Sequence, residues 1–145
     1  MPDPTILVID YEPRSIGNLT RVLEGAGYVV EVARDGVNGI EKFEQLDPDL
    51  VLVEAMLPKK HGFEVCETIK NSARGRLTPV LIITAVYKGR RYRWQAKHQH
   101  GCDEYLEKPI EDERLLDTVR TFLARRKTRR DAAAEAGPAE TAPDA

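Results

Sequence analysis

Cysteine is scarce here. Cys66 and Cys102 are the only two among 145 residues, too few for a secreted disulfide framework and without metal-ligand spacing. No apolar run approaches the roughly 20 residues that a membrane helix needs. Met1-Pro2-Asp3-Pro4 carries neither the basic stretch nor the hydrophobic segment of a signal peptide. Ten Gly and nine Pro exclude collagen-like and proline-rich classes, and no internal repeat is visible. These absences lead to the expectation of a cytoplasmic protein with both thiols free. An excess of one charge sign is also lacking, since the net charge is −2. Residues 1–70 nevertheless sum to −6 and residues 71–145 to +4. The basic surplus is local, so the chain is not uniformly nucleic-acid-like.

At 16.3 kDa and 41% apolar residues, the chain can bury one ordinary core. Apolar runs recur at Ile6-Leu7-Val8-Ile9, Val29-Val30, Leu50-Val51-Leu52-Val53 and Val80-Leu81-Ile82-Ile83, with a weaker Tyr105-Leu106 after Gly101. Three of them are continuous rather than alternating, as in strands buried on both faces of a parallel sheet. Between the runs lie helical stripes: Ile16, Leu19, Leu23 and Ala26; then Val37, Ile40 and Phe43; then Phe63, Cys66 and Ile69. Leu115, Val119, Phe122 and Leu123 make the last. The pattern predicts an α/β fold, a doubly wound five-stranded parallel sheet of (βα)5 type.

The periodicity is expected to stop near Arg126, which divides the chain into residues 1–126 and 127–145. A basic run, Arg125 to Arg130, leads into a segment from Asp131 that holds only Asp, Ala, Glu, Gly, Pro and Thr. Such a composition buries too little apolar area to offset its ordering entropy, so a disordered tail or linker is expected from Gly137. The alanines near Ala132 allow a short extension of the last helix.

Strands of a parallel sheet end at one rim, where ligands bind. The first strand is followed by Asp10, Tyr11 and Glu12, and the third by Glu54. Thr84 ends the fourth, and Lys108-Pro109 follows the fifth. Polar residues often end strands without further purpose. Carboxylates, a hydroxyl and an ammonium on four converging ends make a site the better explanation.

The stretches Ile6-Leu7-Val8-Ile9-Asp10-Tyr11-Glu12-Pro13, Pro48 to Pro58, Thr78 to Ala85 and Tyr105-Leu106-Glu107-Lys108-Pro109 resemble the response-regulator receiver domain in order and spacing, over about residues 4–126. The resemblance implies strand order 2-1-3-4-5 and a cis Lys108–Pro109 bond. It implies a Mg²⁺-binding acidic pair after the first strand, of which Asp10 is the first member. It implies a phosphoacceptor at position 54, with Met56 offering a backbone carbonyl to the metal. Thr84, Tyr105 and Lys108 match the switch hydroxyl, the switch aromatic and the phosphoryl-binding lysine.

Two residues depart from that pattern. Tyr11 replaces the second acid, and a phenol is neutral at pH 7, so the site loses a charge and an oxygen ligand that Mg²⁺ would use. Glu54 replaces the acceptor aspartate. Its extra methylene displaces the carboxylate by about a bond length, and about 1 Å can cost ~100-fold in rate. No metal, cofactor or catalytic residue is therefore expected. Glu54 has two readings: a built-in mimic of the phosphoryl group reaching Lys108 and Thr84, or a residue that pairs with Lys108 to avoid an uncompensated charge.

The fourth helical segment is the least family-like. Tyr87 to His100 holds five Lys or Arg residues, no acid and the single Trp, so a shortened, shifted or loosely docked helix is expected. Arg90, Arg91, Arg93, Trp94 and Lys97 make candidate partner-binding residues, because Arg and Trp dominate protein hot spots. The face of the fourth helix, fifth strand and fifth helix is expected to take a protein partner or a second copy of the chain. One basic helix without a DNA-binding motif argues weakly for nucleic acid, and no membrane insertion is expected. His98 and His100 are too poorly spaced for a metal pair. His61 reads as a solvated loop residue, and Cys66 and Cys102 as packing residues. The sum is a phosphorylation-independent pseudo-receiver acting by protein contact. The alternatives are a phosphorylatable receiver with an atypical acceptor and a nucleic-acid module built on the fourth helix.

Overall fold

The computed structural model describes residues 3–136. Five strands, β1 (Thr5–Ile9), β2 (Val29–Ala33), β3 (Leu50–Val53), β4 (Val80–Thr84) and β5 (Glu104–Glu107), form a wholly parallel sheet in the order β2-β1-β3-β4-β5. Helices α1 (Pro13–Gly25), α2 (Gly36–Leu46), α3 (Gly62–Lys70) and α4 (Arg90–His98) supply the crossovers and α5 (Asp112–Ala136) follows β5, with a short 3-10 turn at Gly75–Leu77 before β4. The predicted (βα)5 fold and strand order are as observed, and the Lys108–Pro109 bond is cis.

Side chains of the continuous strands alternate between two cores. Ile6, Val8, Leu50, Leu52, Leu81, Ile83 and Leu106 face α1 and α5. Leu7, Ile9, Val51, Val53, Val80, Ile82 and Tyr105 face the α2–α4 side. Strands with both faces covered have no polar side, which explains why their sequences do not alternate. Two stripe residues are exposed instead. Ala26 is the C-cap of α1 and exposed, and Val37 is exposed because Gly36 and Gly39 take the inward side of α2. Gly39 lets the helix settle against Ile9, where a Cβ would come within 2.6 Å of Ile9 Cδ1.

The boundary expected at Arg126 lies inside α5, which continues through the basic run to Ala136. Its C-terminal half is drawn onto acids at the rim opposite the site. Arg126 Nη1 lies 2.9 Å from Asp49 Oδ1, and Arg129 and Arg130 approach Asp103 and Asp47 at 4.0 and 3.9 Å. Periodic apolar spacing ends where these ion pairs take over, so the helix outlasts its hydrophobic stripe. The tail expected from Gly137 lies outside the described residues.

Asp49 is the centre of that clasp, because its Oδ2 also accepts the Thr5 N–H at 2.7 Å. Asp49→Ala strands a buried guanidinium and a strand N–H, and should cost about 3 kcal/mol in urea denaturation. Arg129→Ala, on a half-exposed pair, should cost no more than about 1 kcal/mol.

Candidate functional site

Asp10 leaves β1 as its last inter-strand hydrogen bond forms, Asp10 N–H to Ala33 O at 3.0 Å. Glu54 leaves β3 in the same way, donating its N–H to Ile9 O at 2.9 Å. Gly62 then folds the following loop back onto this strand end. A Cβ there would fall 2.1 Å from Glu54 O, so only glycine allows the approach. Lys108 follows β5 and is tied down by Lys108 N–H to Thr84 O at 2.8 Å. The sheet thus brings Asp10, Glu54, Thr84 and Lys108 to one rim.

The Lys108 ammonium occupies the centre. Nζ donates to Asp10 Oδ2 at 2.9 Å, to Glu54 Oε1 at 3.0 Å and to Ser15 Oγ at 2.7 Å. An ammonium has three protons, and all three are used inside the cluster. Ser15 Oγ in turn donates to Asp10 Oδ2 at 2.7 Å. The remaining carboxylate oxygens are held by backbone: Asp10 Oδ1 by Glu12 N–H and Glu54 Oε2 by Met56 N–H, each at 3.1 Å. Asp10 and Glu54 are 1% and 5% exposed, so these contacts replace water. Burial alone would lower the pKa of Lys108. Hydrogen bonding and charge from Asp10, then Glu54, outweigh it and hold the ammonium above its ordinary value.

Sequence reasoning missed Ser15, although its place in the first turn of α1 was a usable signal. It also assigned Glu12 to the acidic pocket. In the structure the Glu12 carboxylate turns away to cap α1, accepting the Arg14 and Ser15 N–H groups at 3.1 and 3.2 Å. Tyr11 is 44% exposed and lines a cavity of about 600 Å³ that opens beside the cluster. Among the described residues no group of three or more His, Cys, Asp or Glu side chains is arranged to hold a metal. With an ammonium within 3.0 Å of both buried carboxylates, the residues present do not fit a Mg²⁺ site.

Thr84 and Tyr105 are fully buried. The Thr84 hydroxyl accepts the Val86 N–H at 3.2 Å, and the Tyr105 hydroxyl donates to Tyr87 O. Burial first, then the nearby Glu107 charge, pushes the Tyr105 phenol up, so it remains a donor. His61 is not a solvated residue. Its Nδ1 caps α3 by accepting the Phe63 N–H at 3.1 Å, and its ring packs against Phe63 and Tyr87. Burial lowers its pKa and favours the neutral form that this acceptor role requires.

The partner-binding candidates divide into two groups. Arg93 and Lys97 are turned onto β5: Arg93 Nη1 donates to Tyr105 O at 2.8 Å, and Lys97 Nζ lies 2.8 Å from Glu104 Oε1. Burial opposes ionisation of Glu104, but Lys97, the Tyr105 N–H and Arg93 hold its carboxyl below the ordinary value. Arg90, Arg91 and Trp94 point outward. Trp94 is 54% exposed and stacked on His98 with ring centroids 5.0 Å apart.

A doubly wound parallel sheet with aspartate, carboxylate, hydroxyl and lysine gathered at one rim defines a signal-receiving module. The response regulator receiver domain model matches residues 6–120, and the chain belongs to that family, whose members serve two-component signalling. The DNA-binding dual master transcriptional regulator RpaA of Synechocystis is 41% identical over 123 residues, 84% of this chain and 50% of that protein. Protein PilH of Pseudomonas aeruginosa is 34% identical over 119 residues, 82% of this chain and 97% of that one. A crystal structure of a Chloroflexus aurantiacus protein assigned as a response regulator superposes with a TM-score of 0.78 at 29% identity, covering 84% of this chain and 98% of that one. The chain spans about half the length of RpaA and of the MprA response regulators that it also matches.

Removing the central cation should be more costly than removing either partner. Lys108→Met leaves Asp10 and Glu54 buried without their counter-charge and should destabilise by about 3 kcal/mol. Glu54→Ala leaves Lys108 with Asp10 and Ser15 and should cost less. Urea midpoints of the two variants, measured at pH 7, decide the order.

Proposed function

We propose that this receiver signals without phosphorylation, by protein–protein contact through the face of α4, β5 and α5. The observation that carries the reading is the closed Lys108 cluster. Every ammonium proton is committed to Asp10, Ser15 or Glu54, so the lysine has none free for a phosphoryl oxygen. Tyr11 in place of an acid and Glu54 in place of an aspartate support the same reading.

Of the two roles open to Glu54, the contacts favour charge pairing over phosphoryl mimicry. Glu54 bonds Lys108 and the Met56 N–H, whereas the Thr84 hydroxyl bonds the Val86 N–H. The switch residues are secured by contacts of their own, which supports an output face held in one arrangement. Arg90, Arg91 and Trp94 give that face a cationic, aromatic character suited to an acidic protein surface. A second copy of the chain is the competing occupant, and size-exclusion mass distinguishes it. Nucleic acid is disfavoured because much of the Arg125–Arg130 run is drawn onto Asp47, Asp49 and Asp103.

Incubation with acetyl phosphate and Mg²⁺, followed by intact-mass analysis, should show no phosphoryl increment on the wild-type chain. The Tyr11→Asp, Glu54→Asp double variant should gain one, since it restores both charge and reach. A stoichiometric adduct on the wild type would overturn the proposal.

The output surface has its own test. Arg90→Glu with Arg91→Glu should leave the melting temperature within a few degrees while abolishing partner retention in a pull-down. Arg93→Glu is expected to behave differently and to destabilise, because it breaks the contacts to Tyr105 O, Glu104 and Glu107. Partner retention by a folded Arg90/Arg91 double variant would move the working surface elsewhere.

A further inference from the structure

The cavity beside the Lys108 cluster is larger than the cluster needs. It occupies about 600 Å³ between α1 on one side and the segments following β4 and β5 on the other. That volume lies in the range of small-molecule sites, which are mainly apolar with a few charged groups at defined places. Its inner wall is apolar, formed by Leu19, Ile83, Pro109 and Ile110. Three of the large hydrophobic side chains that the protein leaves exposed, Tyr11, Met56 and Val86, converge on its rim. Exposed apolar groups collected around a concavity mark a binding surface rather than incidental exposure.

Charge selects the occupant. The acids nearby are already committed: Asp10 and Glu54 to Lys108, and Glu12 to the first turn of α1. Of the three cations that line it, Lys108 is committed to the cluster and the other two are not. Arg14 on α1 and Lys88 after β4 both line the cavity, are exposed, and have no ion-pair partner among the described residues. A negatively charged group entering here meets two cations without ion-pair partners, and the same two cations repel a cationic ligand.

We infer that this cavity is a binding site for an amphipathic organic anion, whose apolar body lies against Leu19, Ile83 and Ile110 and whose acidic group lies between Arg14 and Lys88. The site goes beyond the phosphorylation-independent reading and does not require it. Its occupant would bridge α1 to the segment that leads into α4, placing a chemical signal beside the proposed output face.

The probe for the full 145-residue chain is anilinonaphthalene sulfonate, an aromatic anion whose fluorescence rises in apolar surroundings. Its uncharged relative phenylnaphthylamine is the control. Wild-type protein should bind one sulfonate probe per chain, saturably, under conditions where thermal melting shows a cooperative fold. Arg14→Ala with Lys88→Ala should weaken the sulfonate about tenfold or more, the scale of losing hydrogen bonds to charged groups, and change the neutral probe less than twofold. Ala85→Trp, which fills the cavity from an exposed wall position, should abolish both. Asn18→Trp fills it from α1 and serves if the first variant melts early. The inference is overturned if wild-type chain gives no saturable binding, if binding survives in a folded wall-filling variant, or if the two probes weaken equally in the double alanine variant. A phosphoryl adduct from acetyl phosphate alongside unchanged probe binding would overturn the proposed function and leave this site standing.

Discussion

A half-buried ammonium between two buried carboxylates holds the functional rim in its present form. Lys108 comes from the end of β5, Asp10 from β1, Glu54 from β3 and Ser15 from α1, so a single cation ties four elements together. A buried charge is tolerable only when it is paired and hydrogen-bonded. Here each of the three protons has an acceptor, and each carboxylate oxygen has a donor. The same contacts that satisfy the cluster leave its ammonium without an uncommitted proton.

The opposite rim repeats the device with the polarities exchanged. There acids at the N-terminal ends of the strands, Asp49 before β3 and Asp103 before β5, receive arginines from α5. Asp103 also accepts from Lys70 Nζ at 2.9 Å and from the Val80 N–H at 2.8 Å. Within the basic run Arg126 is a buried fastening, and the half-exposed Arg129 and Arg130 add looser ion pairs where the apolar stripe of α5 has ended.

Between the two rims, the basic character of α4 is partly spent and partly available. Arg93 and Lys97 neutralise Glu104 and Glu107 on β5 and fix the helix to the sheet. Arg90, Arg91 and Trp94 are left to the solvent face, one helical turn sufficing to separate the two roles. The cavity on the other side of the β4–α4 connection has a matching division, since Lys108 is engaged with its acids and Arg14 and Lys88 are not. A ligand there and a partner on α4 would act on the same connecting segment, whose Val86 and Tyr87 backbone groups already bond Thr84 and Tyr105.

By itself, the sequence determined the sheet and its rim. Short continuous apolar runs alternating with helical stripes read as strands covered on both faces, and Asp10, Glu54, Thr84 and Lys108 stand at or just after the ends of those runs. The resemblance to receivers supplied the strand order, which periodicity alone does not encode. Side-chain direction was settled by tertiary structure. Glu12 and Glu54 are the same residue type at the same rim, yet one caps a helix and the other pairs with Lys108. Ser15 joined the cluster through its position on the first turn of α1, and His61 became a cap through the aromatic contacts that bury it. The extent of α5 depended on acids 77 and 26 positions away in the chain, Asp49 from Arg126 and Asp103 from Arg129. Local periodicity reports what a segment buries against its own neighbours. Which charges meet is decided only when distant segments have been brought within a few ångströms, where Coulomb attraction and desolvation first become large enough to choose between partners.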